Sequence, residues 1–248
     1  MAAGLIVAAG VTRGALALLR RVKPEGVGER KNYAGRTVDL CPGPAVTVGV
    51  AAGALLAEPE VLEVRGAALL ATLAAGACGA YDDVAGAGDP RRGFRAHLGA
   101  LRGGELTSGA VKLFGISAAG LAAGALLKRR PLDKALAGVV IAGTAHFVNL
   151  VDVRPGRAAQ VALALGVPGL LRGSLAAASM GAAAAVLPDD LAERGMLGDA
   201  GAHALGAAVG VAIVAGNGRP GLVAHAAGLV AAAAYGDRVS ALAQNPLA

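Results

Sequence analysis

Long runs of Ala, Gly, Val and Leu alternate along this chain with short polar connections. The apolar runs fall at 2–19, 45–57, 66–80, 106–127, 135–148, 158–171, 174–187, 203–215 and 221–234. Long apolar stretches with charge largely confined to the gaps, the first interrupted by Arg13, predict helices that cross a bilayer, whereas a soluble domain distributes its charges along amphipathic faces. Several runs are shorter than the roughly 20 residues a crossing needs, which makes the helix bounds approximate. The expected fold is all-α: one integral membrane domain over 1–248, with roughly nine transmembrane helices and Asp-bearing cytoplasmic loops.

Composition supports this class. The chain is 55% hydrophobic and 16% charged, with 2% aromatics and 39 glycines, and its mean hydropathy is +0.60. Small residues let helix backbones approach closely, so a tight bundle is expected. The net charge of +6 sits mostly in alternate connections, a topology signal and not the continuous basic face of a nucleic-acid binder. Basic residues follow the first run at Arg20 and Arg21 and none precedes it. That predicts an outer N-terminus, no cleavable signal peptide, and cytoplasmic segments at 20–44, 81–105, 149–158, 188–201 and the tail from 235. Lys128, Arg129 and Arg130 then fall on the outer side, against the trend, together with the acidic connection of Glu58, Glu60 and Glu63. Arg172-Gly173 separates the sixth and seventh runs. Cys41 and Cys78 are isolated and read as small buried residues, and His225, inside the last run, as a packing residue.

The chemistry is concentrated in the expected cytoplasmic segments. Asp82-Asp83 ends the third run and is followed by Arg91, Arg92, Arg95, His97, Arg102 and then Lys112. Asn149-Leu150-Val151-Asp152 follows the fifth run, and Asp189, Asp190 and Asp199 precede the eighth. Taken singly, Asp82-Asp83 is an ordinary solvated pair and Asp199 an ordinary helix cap. Converging on one membrane face, such carboxylates can hold Mg²⁺ while Lys and Arg neutralise phosphate oxygens, an arrangement suited to phosphoryl transfer.

Gly79-Ala80-Tyr81-Asp82-Asp83, Asn149-Leu150-Val151-Asp152 and Met196-Leu197-Gly198-Asp199-Ala200-Gly201 match, in order and spacing, the polyprenyl-phosphate N-acetylhexosamine-1-phosphate transferases, which the chain resembles from about 32 to 235. The resemblance implies a plasma-membrane enzyme that moves a sugar-1-phosphate from a UDP-N-acetylhexosamine to a polyprenyl phosphate, releasing UMP in cell-envelope synthesis. It implies Asp199 as the Mg²⁺ ligand and Asp82 and Asp83 as the pair handling the acceptor phosphate or assisting the metal, one of them as a base. It also implies Lys112 as the phosphate-neutralising lysine, and Asn149 and Asp152 as nucleotide-side or structural residues. Arg95 and His97 are further candidate substrate-binding residues. The partners implied are the UDP-sugar, the polyprenyl phosphate and the bilayer, with a homodimer as a candidate assembly and no nucleic acid.

Two departures bear on sugar recognition. The family usually carries Asn where this chain has His146. Many members also have a histidine-rich loop before a tenth span, in place of which this chain has a short tail with Asp237 and Arg238. These departures favour the alternative of a catalytically inactive homologue that binds lipid phosphate or regulates an envelope pathway. A secondary transporter is the third reading, opposed by the placement of the acids in connections and not in mid-span.

Overall fold

All nine apolar runs fold as helices, and most of those helices extend into what the sequence suggests are loops. The computed structural model describes residues 1–56, 61–89, 91, 93–171 and 174–245. Glu58, Glu60, Arg92, Arg172 and Gly173 lie outside the described residues, as do the side chains of Phe94 and Arg95. In order, the elements are α1 (Ala2–Val22), β1 (Glu29–Lys31), β2 (Thr37–Asp39), α2 (Pro42–Leu55), α3 (Leu62–Ala85), α4 (Gly93–Arg102), α5 (Ser108–Leu127), α6 (Pro131–Leu150), α7 (Arg157–Leu170), α8 (Leu175–Leu191), α9 (Gly198–Ala215), α10 (Arg219–Ala234) and α11 (Gly236–Ala243). Among the described residues the structure is thus all-helical apart from one hairpin, with 77% of them in helix. Among the described residues, α1, α3, α5 and α9 are the four helices long and apolar enough to cross a membrane by length and composition. A count of nine crossings is not reached on that measure.

Small residues set the packing. α1 buries Gly4, Ala8, Thr12 and Leu16, a spacing of four that makes one stripe, against α2 and α8. α9 is buried along almost its whole length, enclosed by α2, α3, α5, α6, α7 and α8. It lies between the two larger apolar clusters, one centred on α3, α5 and α6 and the other on α1, α2, α7 and α8, with a small third cluster at Leu16, Cys41 and Ala45. In a bilayer, where lipid is as apolar as these side chains, close van der Waals contact and not water exclusion would hold such helices together. Gly79 of α3 shows how tight the contact is, since a Cβ there would collide with the Asp199 carbonyl of α9. By contrast α10 buries only Leu222 and Ala226, and His225, expected as a packing residue, is on its exposed side. Cys41 is buried and Cys78 half-buried.

Three elements were not anticipated. The segment 22–44 contains the β1–β2 hairpin, whose turn is made by Asn32. Its Oδ1 accepts the amides of Ala34 (3.0 Å) and Arg36 (2.9 Å), so the side chain substitutes for a backbone acceptor. The basic segment after Asp83 forms the amphipathic α4, and the tail forms α11.

The polar segments expected to share one face do meet at one end of the bundle. Arg20 bonds Asp39 (3.0 Å) and Asp189 (3.3 Å), and the Met196 amide bonds the Asp39 carbonyl (2.9 Å). Arg13 also pairs with Asp189. The Gly156 amide donates to Asp190 (3.0 Å), and Ser240 of α11 donates to the Leu150 carbonyl (2.8 Å). At the opposite end Lys128 donates to the Asn217 carbonyl (2.8 Å) and Arg219 pairs with Asp133 (2.6 Å).

Candidate functional site

Asp82 and Asp83 lie in the last turn of α3, not in a loop as the sequence suggests, and their consecutive positions send their side chains to different partners. Asp83 is buried and faces the N-terminus of α9. Its Oδ1 accepts the Asp199 amide (3.1 Å) and its Oδ2 the Ala200 amide (3.0 Å), two of the donors a helix start leaves without intrahelical partners. Gly198 enters α9 with φ +58°, the left-handed region that favours glycine, and its Cα packs directly against the Asp83 carboxylate. Arg30, carried in by β1, donates to Asp83 Oδ1 (3.2 Å) and to the Asp83 carbonyl (3.2 Å). Asp83 is therefore a cap supplied to α9 by another helix, and both its oxygens are occupied.

Asp82 looks the other way. The Lys112 ammonium, in the second turn of α5, donates to Asp82 Oδ2 (2.5 Å) and to Asp199 Oδ2 (2.9 Å). One cation thus bridges two carboxylates that come from α3 and α9, and all three groups are half-buried. They form part of the wall of a cavity of about 550 Å³. Arg30, Lys31 and Arg91 add positive charge to that wall, while Asn149, in the last turn of α6, adds a neutral amide. Arg91 also clasps Asp89 (2.8 Å) and Glu105 (2.7 Å), which closes the ends of the α4 segment together and holds both carboxylates below their ordinary range. His97 of α4 lines the cavity too. Its Nδ1 lies 2.9 Å from the Thr107 hydroxyl, which caps α5 by accepting the Ala110 amide (3.1 Å).

Asp152 stands apart from this group. It lines a smaller cavity of about 60 Å³ with Tyr33, Arg154, Asp190 and Glu193. Part of its surface remains open to that cavity, yet burial of the carboxyl, and then the neighbouring carboxylates of Asp190, Asp199 and Asp83, push its pKa well above the ordinary value. Of the residues expected from the sequence, Asp82, Asp199, Lys112, Asn149 and His97 share one cavity, Asp83 bonds the Asp199 amide behind it, and Asp152 lines a separate one.

Arg30 and Lys31 line the cavity but read in the sequence only as loop charges. No local signal marks them, because the hairpin that delivers them is fixed by contacts with residues far along the chain. Asn32 donates to Glu193 (2.6 Å), and Asp39 pairs with Gly195. His203 was legible in principle, since it is four residues after Asp199 and so on the same helix face.

The donor set can be tested against Mg²⁺. Asp82 and Asp199 approach closely enough to share one ammonium, which supplies two carboxylates on one side of a phosphate-sized cavity. Among the described residues no group of three or more His, Cys, Asp or Glu could hold a metal by itself. Mg²⁺ commonly takes one or two carboxylates with substrate phosphates and water as its other ligands, and Asp82 and Asp199 are the pair that could serve in this way. Neither a scan of protein-family models nor a search of curated proteins finds a match to the chain.

Proposed function

We propose that this protein transfers a sugar-1-phosphate from a UDP-N-acetylhexosamine to a polyprenyl phosphate, releasing UMP. The observation that carries the reading is the Lys112 ammonium between Asp82 and Asp199, in the wall of a cavity whose cationic side chains outnumber its acids. Such a wall suits three phosphoryl groups brought together, two from the donor and one from the acceptor. An acceptor phosphate oxygen attacks the β-phosphorus of the donor. The new P–O bond forms as the bond from the β-phosphorus to the bridging oxygen breaks, and its electron pair leaves with UMP.

The acceptor phosphate is anionic near neutral pH, so the step needs positioning and charge neutralisation more than a strong base. Lys112, Arg30, Lys31 and Arg91 neutralise the phosphates. Asp83, with both oxygens bonded, acts as a positioning residue that orients α9 and with it Asp199. Mg²⁺ held by Asp82 and Asp199 would supply further neutralisation of the diphosphate.

The proposed setting is the plasma membrane, with the cavity on the cytoplasmic side. The distribution of charge supports this orientation. The cavity end carries Arg20, Arg21, Lys23, Arg30, Lys31 and Arg36 before α2 begins, against Lys128, Arg129, Arg130, Lys134 and Arg219 at the other end. One observation favours the second reading, a lipid-phosphate binder without turnover: Lys112 already neutralises both candidate metal ligands.

The test is UMP release by the purified chain in detergent with undecaprenyl phosphate, Mg²⁺ and a panel of UDP-N-acetylhexosamines. Release with one sugar should fall by at least about 10²-fold in Asp199→Asn and in Lys112→Met, as when a transition-state contact is removed. Unchanged release in Asp199→Asn sinks the assignment. No release by a folded protein that still binds lipid phosphate selects the second reading.

A further inference from the structure

Beside the charged cavity lies a second chamber of about 260 Å³, which shares Lys112, Asn149 and His97 with it and runs between α5 and α6. Its deeper polar wall is built by Ser117 of α5, His146 of α6 and His203 of α9. His146 is one turn before Asn149, and His203 one turn after Asp199. His203 is 2% exposed, and its Nδ1 lies 2.7 Å from the Asp199 carbonyl. A carbonyl only accepts, so that nitrogen carries the proton and Nε2 is left as an acceptor. Among the described residues the His203 Nε2, the His146 ring and the Asn149 amide have no protein hydrogen-bond partner. Apart from Ser240, whose hydroxyl donates to the Leu150 carbonyl, the remaining lining is glycine and apolar, including Ile116 and Leu150.

His203 is buried and His146 and Asn149 are half-buried, so the chamber offers three polar groups with hydrogen-bonding capacity to spare around one space, which a ligand with matching groups would use. Pockets for whole ligands run to about 300–1,000 Å³, so this chamber takes a ring-sized piece of a larger molecule. Anions are better served next door, where the guanidinium and ammonium groups are. A prenyl chain would fit the apolar wall but strand both imidazoles and the amide. A neutral ring bearing hydroxyls and an amide satisfies both walls: its hydroxyls donate to imidazole nitrogens, its amide pairs with Asn149, and its C–H face rests on Ile116 and Leu150.

We propose that this chamber receives the N-acetylhexosamine ring of the donor, with His146 and His203 as the residues that determine sugar specificity. The proposal rests on the functional reading above, because a diphosphate in the charged cavity sets its attached sugar at the chamber mouth beside Lys112 and Asn149.

Equilibrium binding of UDP, UDP-glucose and UDP-N-acetylglucosamine to the full chain in detergent with Mg²⁺ tests it, in wild type and in His146→Leu, His203→Leu and Ser117→Leu. Wild type should bind UDP-N-acetylglucosamine more tightly than UDP. Each histidine variant should weaken the sugar nucleotide by about three- to tenfold, the equivalent of one hydrogen bond, and leave UDP within about twofold. Ser117→Leu, which narrows the chamber from half-buried α5, reads the same space should His203→Leu not fold. Equal losses for UDP and the sugar nucleotides, or no loss in any variant, overturn the proposal. A rise in KM confined to the polyprenyl phosphate also overturns it, and assigns the chamber to the lipid chain. Wild type that binds no UDP brings down the functional reading itself. That outcome is distinct from a wild type that turns over while the chamber variants are silent.

Discussion

Removing the Asp83 carboxylate separates capping from catalysis. Asp83→Ala takes away the acceptors of the Asp199 and Ala200 amides, at 3.1 and 3.0 Å, and leaves the Arg30 guanidinium without its carboxylate partner at 3.2 Å. Loss of a helix cap costs about 0.5–2 kcal/mol, and loss of a negative charge at a partly buried helix start adds about 0.3–2 kcal/mol. With the unpaired donors included, the cost is about 2–4 kcal/mol. For a chain of this size roughly 2–4 °C of melting temperature goes with each kcal/mol, which gives a fall of about 5–15 °C. Asp83→Asn keeps one acceptor oxygen and should lose about half as much. Asp82→Asn disturbs half-buried side-chain contacts with Lys112 and Asp199 and should melt within about 1 kcal/mol of wild type. Thermal unfolding in detergent gives the order, and UMP release well below the melting temperature gives the second axis. There Asp82→Asn should be inactive, while Asp83→Asn keeps measurable turnover. Equal melting of Asp83→Ala and Asp82→Asn would refute the capping argument.

Three further outcomes are expected. Gly79→Val pushes α3 away from the Asp199 carbonyl and should destabilise the fold by about 1–3 kcal/mol, with turnover falling alongside; a melting curve identical to wild type would mean the two helices are not in contact there. Because the folded-state pKa of Asp152 is raised, its protonated form is favoured by the fold, and stability is lost as pH rises from about 4, the unfolded value, through the raised folded value. Asp152→Asn should therefore melt above wild type at about pH 8 and close to it at about pH 4, and a pH-independent difference would remove the buried carboxyl as the cause. A cysteine at exposed Ala87, on the cavity wall, should react with an impermeant maleimide only from the cytoplasmic side, whereas labelling from outside inverts the proposed orientation.

The apolar runs were legible because burying backbone in helices is forced wherever side chains are apolar and charge is absent. The helix ends were less so. Asp82, Asn149 and Asp199 are polar and read as loop, yet each lies inside a helical turn, where it is held by α3, α6 or α9 geometry. The role of Asp83 could not be read from its neighbours, since its partners are 116 and 117 residues away. The hairpin escaped for a similar reason: its strands are three residues each and its turn depends on one Asn side chain. α4 and α11 are short, and flanking Gly and polar residues hide their amphipathic spacing. What the spacing did convey is that Asp-bearing ends of non-adjacent helices meet on one side of the bundle.

The enclosure of α9 makes the cavity mechanically lopsided. A helix surrounded on nearly every side can lose its backbone hydrogen bonds only when the bundle as a whole opens, so its amides should be the slowest in the molecule to exchange with solvent. Facing it across the cavity are the hairpin, held by the Asp39 backbone pairing with 195–196 and a few side-chain bonds, and α4, held by few side-chain bonds; the amides of both should exchange earlier. Asp199 is thus mounted on the most slowly yielding element of the protein and Arg30 and His97 on much quicker ones. If the cavity widens for a bulky ligand, the hairpin and α4 are the elements expected to move, with Asp199 expected to keep its place.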